Sequence, residues 1–257
     1  MLRKITIMIF LILTGVWFTN SDSIQPAREF IQNNIYVWSE MQEEKLPIYC
    51  VDTQKKQIAL TFDTAWGNED IPQILKILKQ ENVKATFFIL GSNVDSRKDV
   101  VKRMYEEGHY LANHGYSHTY SKIYSSPQSV LDEYNECNDK VKNAIEVPDY
   151  NSHLFRFPGG LAGGKYTEIK KEAKELLLQN NIVNVDWNAL TGDAETNNLS
   201  VEFEMTRLTE TMESKNSLVI LMHDAAAKSV TADALPQIIA KLKEEGYEFK
   251  NFYDIIK

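Results

Sequence analysis

Two histidines four residues apart, His114 and His118, stand in the run Asn113-His114-Gly115-Tyr116-Ser117-His118, just after the short apolar stretch Tyr110-Leu111-Ala112. On one helical turn, residues i and i+4 share a face. Two imidazoles so placed can point at one metal ion, with a carboxylate from elsewhere as third ligand and water in the open position. The spacing alone is a weak signal, because two surface histidines in a polar turn give the same pattern. The chain has only five histidines, however, and a third, His223, closes the apolar run Ser217-Leu218-Val219-Ile220-Leu221-Met222 far downstream. Polar residues stand at the ends of other apolar runs too. Asp63 follows Gln57-Ile58-Ala59-Leu60-Thr61-Phe62, Arg156 lies in Leu154-Phe155-Arg156-Phe157, and Asp186 follows Ile182-Val183-Asn184-Val185.

The elements that must position these residues are legible from periodicity. Asp70-Ile71-Pro72 opens a helix, since Asp caps and Pro is tolerated in the first turn. Ile71, Ile74, Leu75, Ile77 and Leu78 give it a buried stripe. A strand is expected over 85–90, a helix over 97–107 stopped by Gly108, and then the strand that delivers His114. Ser126-Pro127 starts a long helix with Val130, Leu131, Tyr134, Cys137, Val141 and Ile145 on its inner side. Further helices are expected over 167–179, 201–212 and 231–245, with a short strand over 247–250 and a last helical turn. Strands alternating with helices predict an α/β fold of parallel β/α units. In such folds functional groups sit beyond the carboxyl ends of the strands. Asp63, His114, Arg156, Asp186 and His223 each lie at such an end, which a structural ion-pair network explains less well than a site.

The remaining features set bounds. The 257 residues suffice for one sizeable core, with 43% hydrophobic and 25% charged residues as in an ordinary globular protein. A net charge of −8 argues against a nucleic-acid partner, which needs a basic face. Arg3 and Lys4 precede an apolar run from Ile5 to Phe18 and the polar stretch Thr19-Asn20-Ser21-Asp22-Ser23. This is the layout of a secretory signal or an N-terminal membrane anchor over residues 1–23. The protein is therefore expected outside the cytoplasm, secreted or on the cell envelope, touching membrane only through that segment. Residues 24–56 read as a spacer with a short helix around Ala27 to Met41, and 57–257 as the main domain. Cys50 and Cys137 are too few for a disulfide scaffold. Cys137, on a helix stripe, reads as a buried thiol.

Taken together, Thr61-Phe62-Asp63, His114-x-x-x-His118, Arg156-Phe157-Pro158-Gly159-Gly160, Asp186-Trp187 and Leu221-Met222-His223 resemble the polysaccharide deacetylases, the NodB-homology domain of carbohydrate esterase family 4. The resemblance runs from about Gln57 to the C-terminus. It implies a distorted (β/α)7-type barrel, the NodB-homology deacetylase fold. It also implies metal-dependent removal of N-acetyl groups from an N-acetylglucosamine-type polysaccharide, cell-wall peptidoglycan first, with zinc as the expected ion and cobalt or manganese as alternatives. By position, Asp63 matches the catalytic base, His114 and His118 the metal ligands, Arg156 the arginine that orients the base, and His223 the catalytic acid. Asp186 ranks above Asp193, in Thr191-Gly192-Asp193, as the partner of His223. Thr64 replaces the family's second aspartate, a metal ligand, and hydroxyl is a poor ligand beside carboxylate. If Thr64 does not complete the metal site, the two histidines plus water, Asp63 doubling as ligand, or another acid such as Asp70 reaching in are the alternatives. Gly159 stands where many relatives place Tyr, a mild change where only a backbone N–H is needed. Trp66, Tyr116, Tyr120 and Trp187 adjoin the motifs and could stack on sugar faces, although packing explains any single one.

Two other classes compete. Gly159-Gly160-Leu161-Ala162-Gly163-Gly164-Lys165 fits a phosphate-binding loop as far as the lysine, but Tyr166 stands where that loop needs Ser or Thr for magnesium. A domain that binds a wall glycan without hydrolysing it is the second, and it follows from Thr64. The particular glycan and the oligomeric state are not written in the sequence.

Overall fold

A computed structural model of the chain describes residues 55–64, 70–196, 198–224 and 229–255. The expected signal or anchor, nearly all of the spacer with its short helix, Cys50 and Trp66 lie outside the described residues. Strand β1 (Gln57–Thr64) is central and pairs in parallel with β2 (Thr86–Ile89) and β7 (Ser217–His223). With β3 (Tyr110–Asn113), β4 (Leu154–Phe155), β5 (Val183–Asn184) and β6 (Ala189–Leu190), the order is β5-β4-β3-β2-β1-β7-β6, every pair parallel. A final strand, β8 (Glu248–Phe249), pairs with the start of β1. The helices are α1 (Asp70–Gln80), α2 (Lys98–Glu106), α3 (Tyr120–Ile123), α4 (Pro127–Ile145), α5 (Thr167–Gln179), α6 (Val201–Met212), α7 (Ser229–Glu244) and α8 (Phe252–Ile255). Side-chain oxygens of Ser126 and Ser200 cap α4 and α6, each accepting from an N–H three residues on at 3.1 Å.

The order of strands forces the sheet to curl. β5 and β6 follow one another in the chain yet lie at opposite ends of the sheet, joined only by residues 185–188. That connection reaches roughly 17 Å when fully extended, whereas seven strands laid flat at about 4.8 Å spacing spread over about 29 Å. The sheet therefore bends into the distorted barrel expected, with an inner and an outer face. Alternation along the strands sorts the side chains. Ile58, Leu60 and Phe62 of β1, with Leu218, Ile220 and Met222 of β7, face outward into the core shared with α1, α2 and α7. Ala59 and Val219 face inward, with Phe88, Ala112, Leu154 and Val183. The same parity carries Thr61, Asp63 and His223 to the inner face, at the carboxyl-end mouth.

Most predicted elements form within a few residues of their expected bounds. The 3-10 helix Gly91–Ser96, the single turn α3 and the two-residue β6 were not legible, being too short to show a period. Gly91 is the tightest joint in this layer. Its N–H donates to the Gly115 carbonyl at 2.9 Å, tying the end of β2 to the loop that carries both histidines. A Cβ there would lie 2.7 Å from Cys137 Cα and 2.8 Å from Tyr116 Cδ2. Cys137 is the expected buried thiol, its Sγ donating to the Ile89 carbonyl at 3.2 Å, and burial raises its pKa. Because the atom in the way is α4 backbone, Gly91→Ala should cost about 1–3 kcal/mol of stability. Urea unfolding measures it, and an unchanged midpoint would refute this account of the joint.

Candidate active site

The site is built around one buried ion pair. Arg156 follows β4 and is fully buried, and Nη1 donates to Asp63 Oδ1 at 2.7 Å and to Thr61 Oγ1 at 2.9 Å. Nε donates to the Val185 carbonyl at 3.0 Å and Nη2 to the Asp186 carbonyl at 3.0 Å. The guanidinium lies over the Phe88 ring, 3.8 Å from its centre. Burial pushes the Asp63 pKa up, but Arg156, His114 and His223 outweigh it and hold the carboxyl below its ordinary value. Asp63 is thus ionised and fixed in one orientation.

His114 Nδ1 lies 2.9 Å from the Arg156 carbonyl. A carbonyl only accepts, so Nδ1 carries the proton and Nε2 a lone pair. Burial pushes the His114 pKa down to about 4, which keeps the ring neutral at pH 7. The lone pair of Nε2 then faces Asp63 Oδ2 at 3.6 Å. Two acceptors facing one another are a pair that could help hold a cation. The His118 ring lies 5.3 Å from the His114 ring, centre to centre, and burial lowers its pKa too. The two imidazoles do not come together on a helical turn as the spacing suggests. They are carried by a loop with left-handed backbone at Gly115 (φ 81°) and His118 (φ 52°). Asn113 and Glu133 shape that loop. Asn113 Oδ1 accepts from Gly115 N–H at 2.9 Å, and Glu133 Oε2 accepts from the N–H groups of Tyr116 and Ser117 at 3.0 and 2.9 Å.

Thr64, the residue expected as third ligand, gives its hydroxyl proton to the Phe88 carbonyl at 3.0 Å. Among the described residues no three His, Cys, Asp or Glu side chains form a ready metal-holding group. Asp70 heads α1 and is not brought into such a group, and residues 65–69 leading to it lie outside the described residues.

On the neighbouring strand, His223 stands in register with Asp63. Its partner is Asp193, not Asp186. Nδ1 lies 2.8 Å from Asp193 Oδ1, and the His223 N–H donates to Asp193 Oδ2 at 2.6 Å. Burial lowers the His223 pKa, but the hydrogen bond and charge of Asp193, with Asp63, outweigh it and raise the pKa above its ordinary value. Asp186 does other work: its Oδ2 accepts from Leu161 N–H at 2.9 Å, bracing the glycine turn after Arg156, and burial raises its pKa. The ranking failed because Asp186 ends β5 at one edge of the sheet, whereas β6, the two-residue strand leading to Asp193, pairs with β7 itself. Lys170 of α5 was also not legible as part of the site. It is buried and donates to the Gly160 carbonyl at 2.6 Å, while Tyr124 donates to the Pro158 carbonyl at 2.7 Å. These bonds clamp the turn and leave Gly159 N–H without a hydrogen-bond partner among the described residues.

Asp193→Asn should therefore lower the pKa of His223, and Asp186→Asn should leave it in place. An NMR pH titration of the imidazole distinguishes them; a shift in the second variant and none in the first would reverse the assignment.

The chain matches the profile of the family described as polysaccharide deacetylase over residues 51–179, a span that holds Asp63, His114, His118 and Arg156. A peptidoglycan-N-acetylglucosamine deacetylase of Bacillus cereus is 32% identical over 204 residues, 78% of this chain and 71% of the relative. A second such deacetylase of that species is 33% identical over 199 residues, 76% of this chain and 66% of the relative, so the chain spans about two thirds of these proteins. Among solved structures, a CE4 esterase of Streptococcus mutans superposes with a TM-score of 0.71 at 32% identity, covering 77% of this chain and 87% of that one. A CE4 family pseudoenzyme from Bacillus anthracis gives a TM-score of 0.67 at 28% identity, covering 84% of this chain and 70% of that one. By sequence, fold and the strand-end residues alike, the chain belongs to the polysaccharide deacetylase family of hydrolases, carbohydrate esterase family 4.

Proposed function

We propose that this protein hydrolyses N-acetyl groups from an N-acetylglucosamine-type polysaccharide, with the peptidoglycan of the cell wall as its substrate. One observation carries the reading. An ionised carboxylate, Asp63, and a histidine whose charged form is favoured, His223, stand side by side at the mouth with pKa values shifted in opposite directions. The name of the Bacillus cereus relatives supports the substrate class.

His114 and His118 would hold a divalent cation, with Asp63 the nearest carboxylate, and imidazole donors suit zinc, with cobalt or manganese the alternatives that the family resemblance allows. Such an ion, when bound, polarises an acyl oxygen and acidifies water. The chain's own residues supply the rest. Asp63, aimed by Arg156, accepts the proton of the attacking water. The Gly159 N–H, without a partner among the described residues, donates to the oxyanion as the carbonyl carbon becomes tetrahedral. His223, whose charged form Asp193 favours, gives its proton to the amide nitrogen so that the amine can leave. Activity rises with pH as Asp63 ionises and falls as His223 loses its proton. The N-terminal signal or anchor would bring the domain to its substrate outside the cytoplasm.

Asp63→Asn and His223→Ala should each lower the turnover of the folded fraction by about a hundredfold or more, and Asp63→Asn should also lose stability because it leaves Arg156 without its counter-charge. The assay is acetate release from peptidoglycan and from N-acetylglucosamine oligomers, with metal content measured on the same samples. Near-wild-type release from either variant would remove that residue's role. Full metal occupancy in a His114→Ala, His118→Ala double variant would remove the metal assignment.

A second reading, glycan binding without turnover, is favoured by Thr64 alone, whose hydroxyl is bonded to backbone in place of the family's carboxylate ligand. Thr64→Asp loses that bond and buries a carboxylate, so the metal-free variant should unfold at lower urea than wild type, and added zinc should reverse the order. Tighter metal binding with faster acetate release supports a weakened but working enzyme. Metal binding with no acetate release from either protein supports the binding module.

A further inference from the structure

The turn after Arg156 has an unusual neighbour. Gly159 has left-handed backbone (φ 74°), and a Cβ built on it would lie 2.5 Å from the Tyr120 hydroxyl oxygen. A side chain at position 159 and Tyr120 in its present place therefore exclude one another. Tyr120 comes from α3, a single turn anchored by the buried Ile123 and by Tyr124, whose hydroxyl donates to the Pro158 carbonyl. Its ring lies 5.9 Å from His118, 5.6 Å from Tyr124 and 6.5 Å from Tyr166, centre to centre. At 41% exposure it is one of two large hydrophobic side chains left open to solvent among the described residues. Its hydroxyl makes no hydrogen bond among the described residues, although Tyr124, one turn away, is fully satisfied in the same cluster.

A packing tyrosine would bury its ring, and a merely exposed one would not be wedged against catalytic backbone by three aromatic rings. We infer that Tyr120 is a substrate-contacting, specificity-determining residue: its hydroxyl donates to an oxygen of the sugar bound beside Gly159, and its ring forms the wall of that subsite next to His118. A glycan unit suits both parts, since its hydroxyls accept hydrogen bonds and its C–H faces pack on aromatic rings. The inference rests on the glycan reading above and adds the residue that selects which sugar sits over the turn.

The probe is the β-1,4-linked tetramer of N-acetylglucosamine, titrated into the full chain and into Tyr120→Phe and Tyr120→Ala, with acetate release followed on the same preparations. Phe keeps the ring and removes the hydroxyl, so Kd and KM should rise about three- to tenfold, the equivalent of one neutral hydrogen bond, with kcat nearly unchanged. Ala removes the wall as well and should weaken binding about tenfold further. A purely structural tyrosine would instead lower the urea midpoint and leave the Kd of the folded fraction alone. Wild-type Kd and KM in both variants, with a wild type that binds the tetramer, overturn the role of Tyr120 and leave the glycan reading standing. A wild type that neither binds the tetramer nor releases acetate from it overturns both.

Discussion

The buried pair of Arg156 and Asp63 is the constraint on which the rest of the site depends. A guanidinium with no exposed surface needs its donors filled, and here they reach β1 through Thr61 and Asp63 and the end of β5 through two carbonyls. One side chain thus pins the middle of the sheet to its edge, across the curl. Removing one member of such a pair strands the other charge and typically costs about 3–5 kcal/mol. Arg156 and Asp63 are for that reason structural residues whatever chemistry is proposed for them, and structure and chemistry separate more cleanly at His223. The pair also sets the charge pattern of the mouth. It keeps Asp63 ionised, and Asp63 in turn favours the charged form of His223 on the next strand.

The same economy governs the histidine loop. Two positive-φ residues leave it no helical hydrogen bonds, so its N–H groups are taken by Asn113 and Glu133. Glu133 belongs to α4, and α4 packs on Gly91 without room for a Cβ. The position of His118 therefore traces back to the contact between a glycine and the backbone of a helix that carries no catalytic group.

The α/β class, the alternation of elements and most strand ends were legible because apolar periodicity reports burial directly. Asp63, His114, Arg156 and His223 could be named because each terminates such a run. What escaped depends on distance in space with no trace in local pattern. Asp193 follows a two-residue strand with no periodicity, and only its pairing with β7 brings it to His223. Asp186 has the right type and place, but its carboxylate turns to the Leu161 N–H. Lys170 and Glu133 lie on helices where the pattern reads them as surface charges, yet both hold site loops through backbone atoms. The i, i+4 spacing of the histidines suggested a helix because spacing carries no φ; the glycine between them was the available sign of a turn.

Thr64 shows how the fold and the chemistry have been separated. A carboxylate in its place would point at a backbone carbonyl until a cation drew it away, leaving the metal-free protein with an unsatisfied buried charge. Threonine donates to that carbonyl and joins the end of β1 to β2 with no ion required. His114 Nε2 and Asp63 Oδ2 meanwhile face each other as acceptors at 3.6 Å. The one carboxylate that would help hold a divalent ion there already shares its charge with Arg156. At the proposed metal site the substitution would cost metal affinity and spare the fold. A family that contains both esterases and a pseudoenzyme on one scaffold is what such a separation permits.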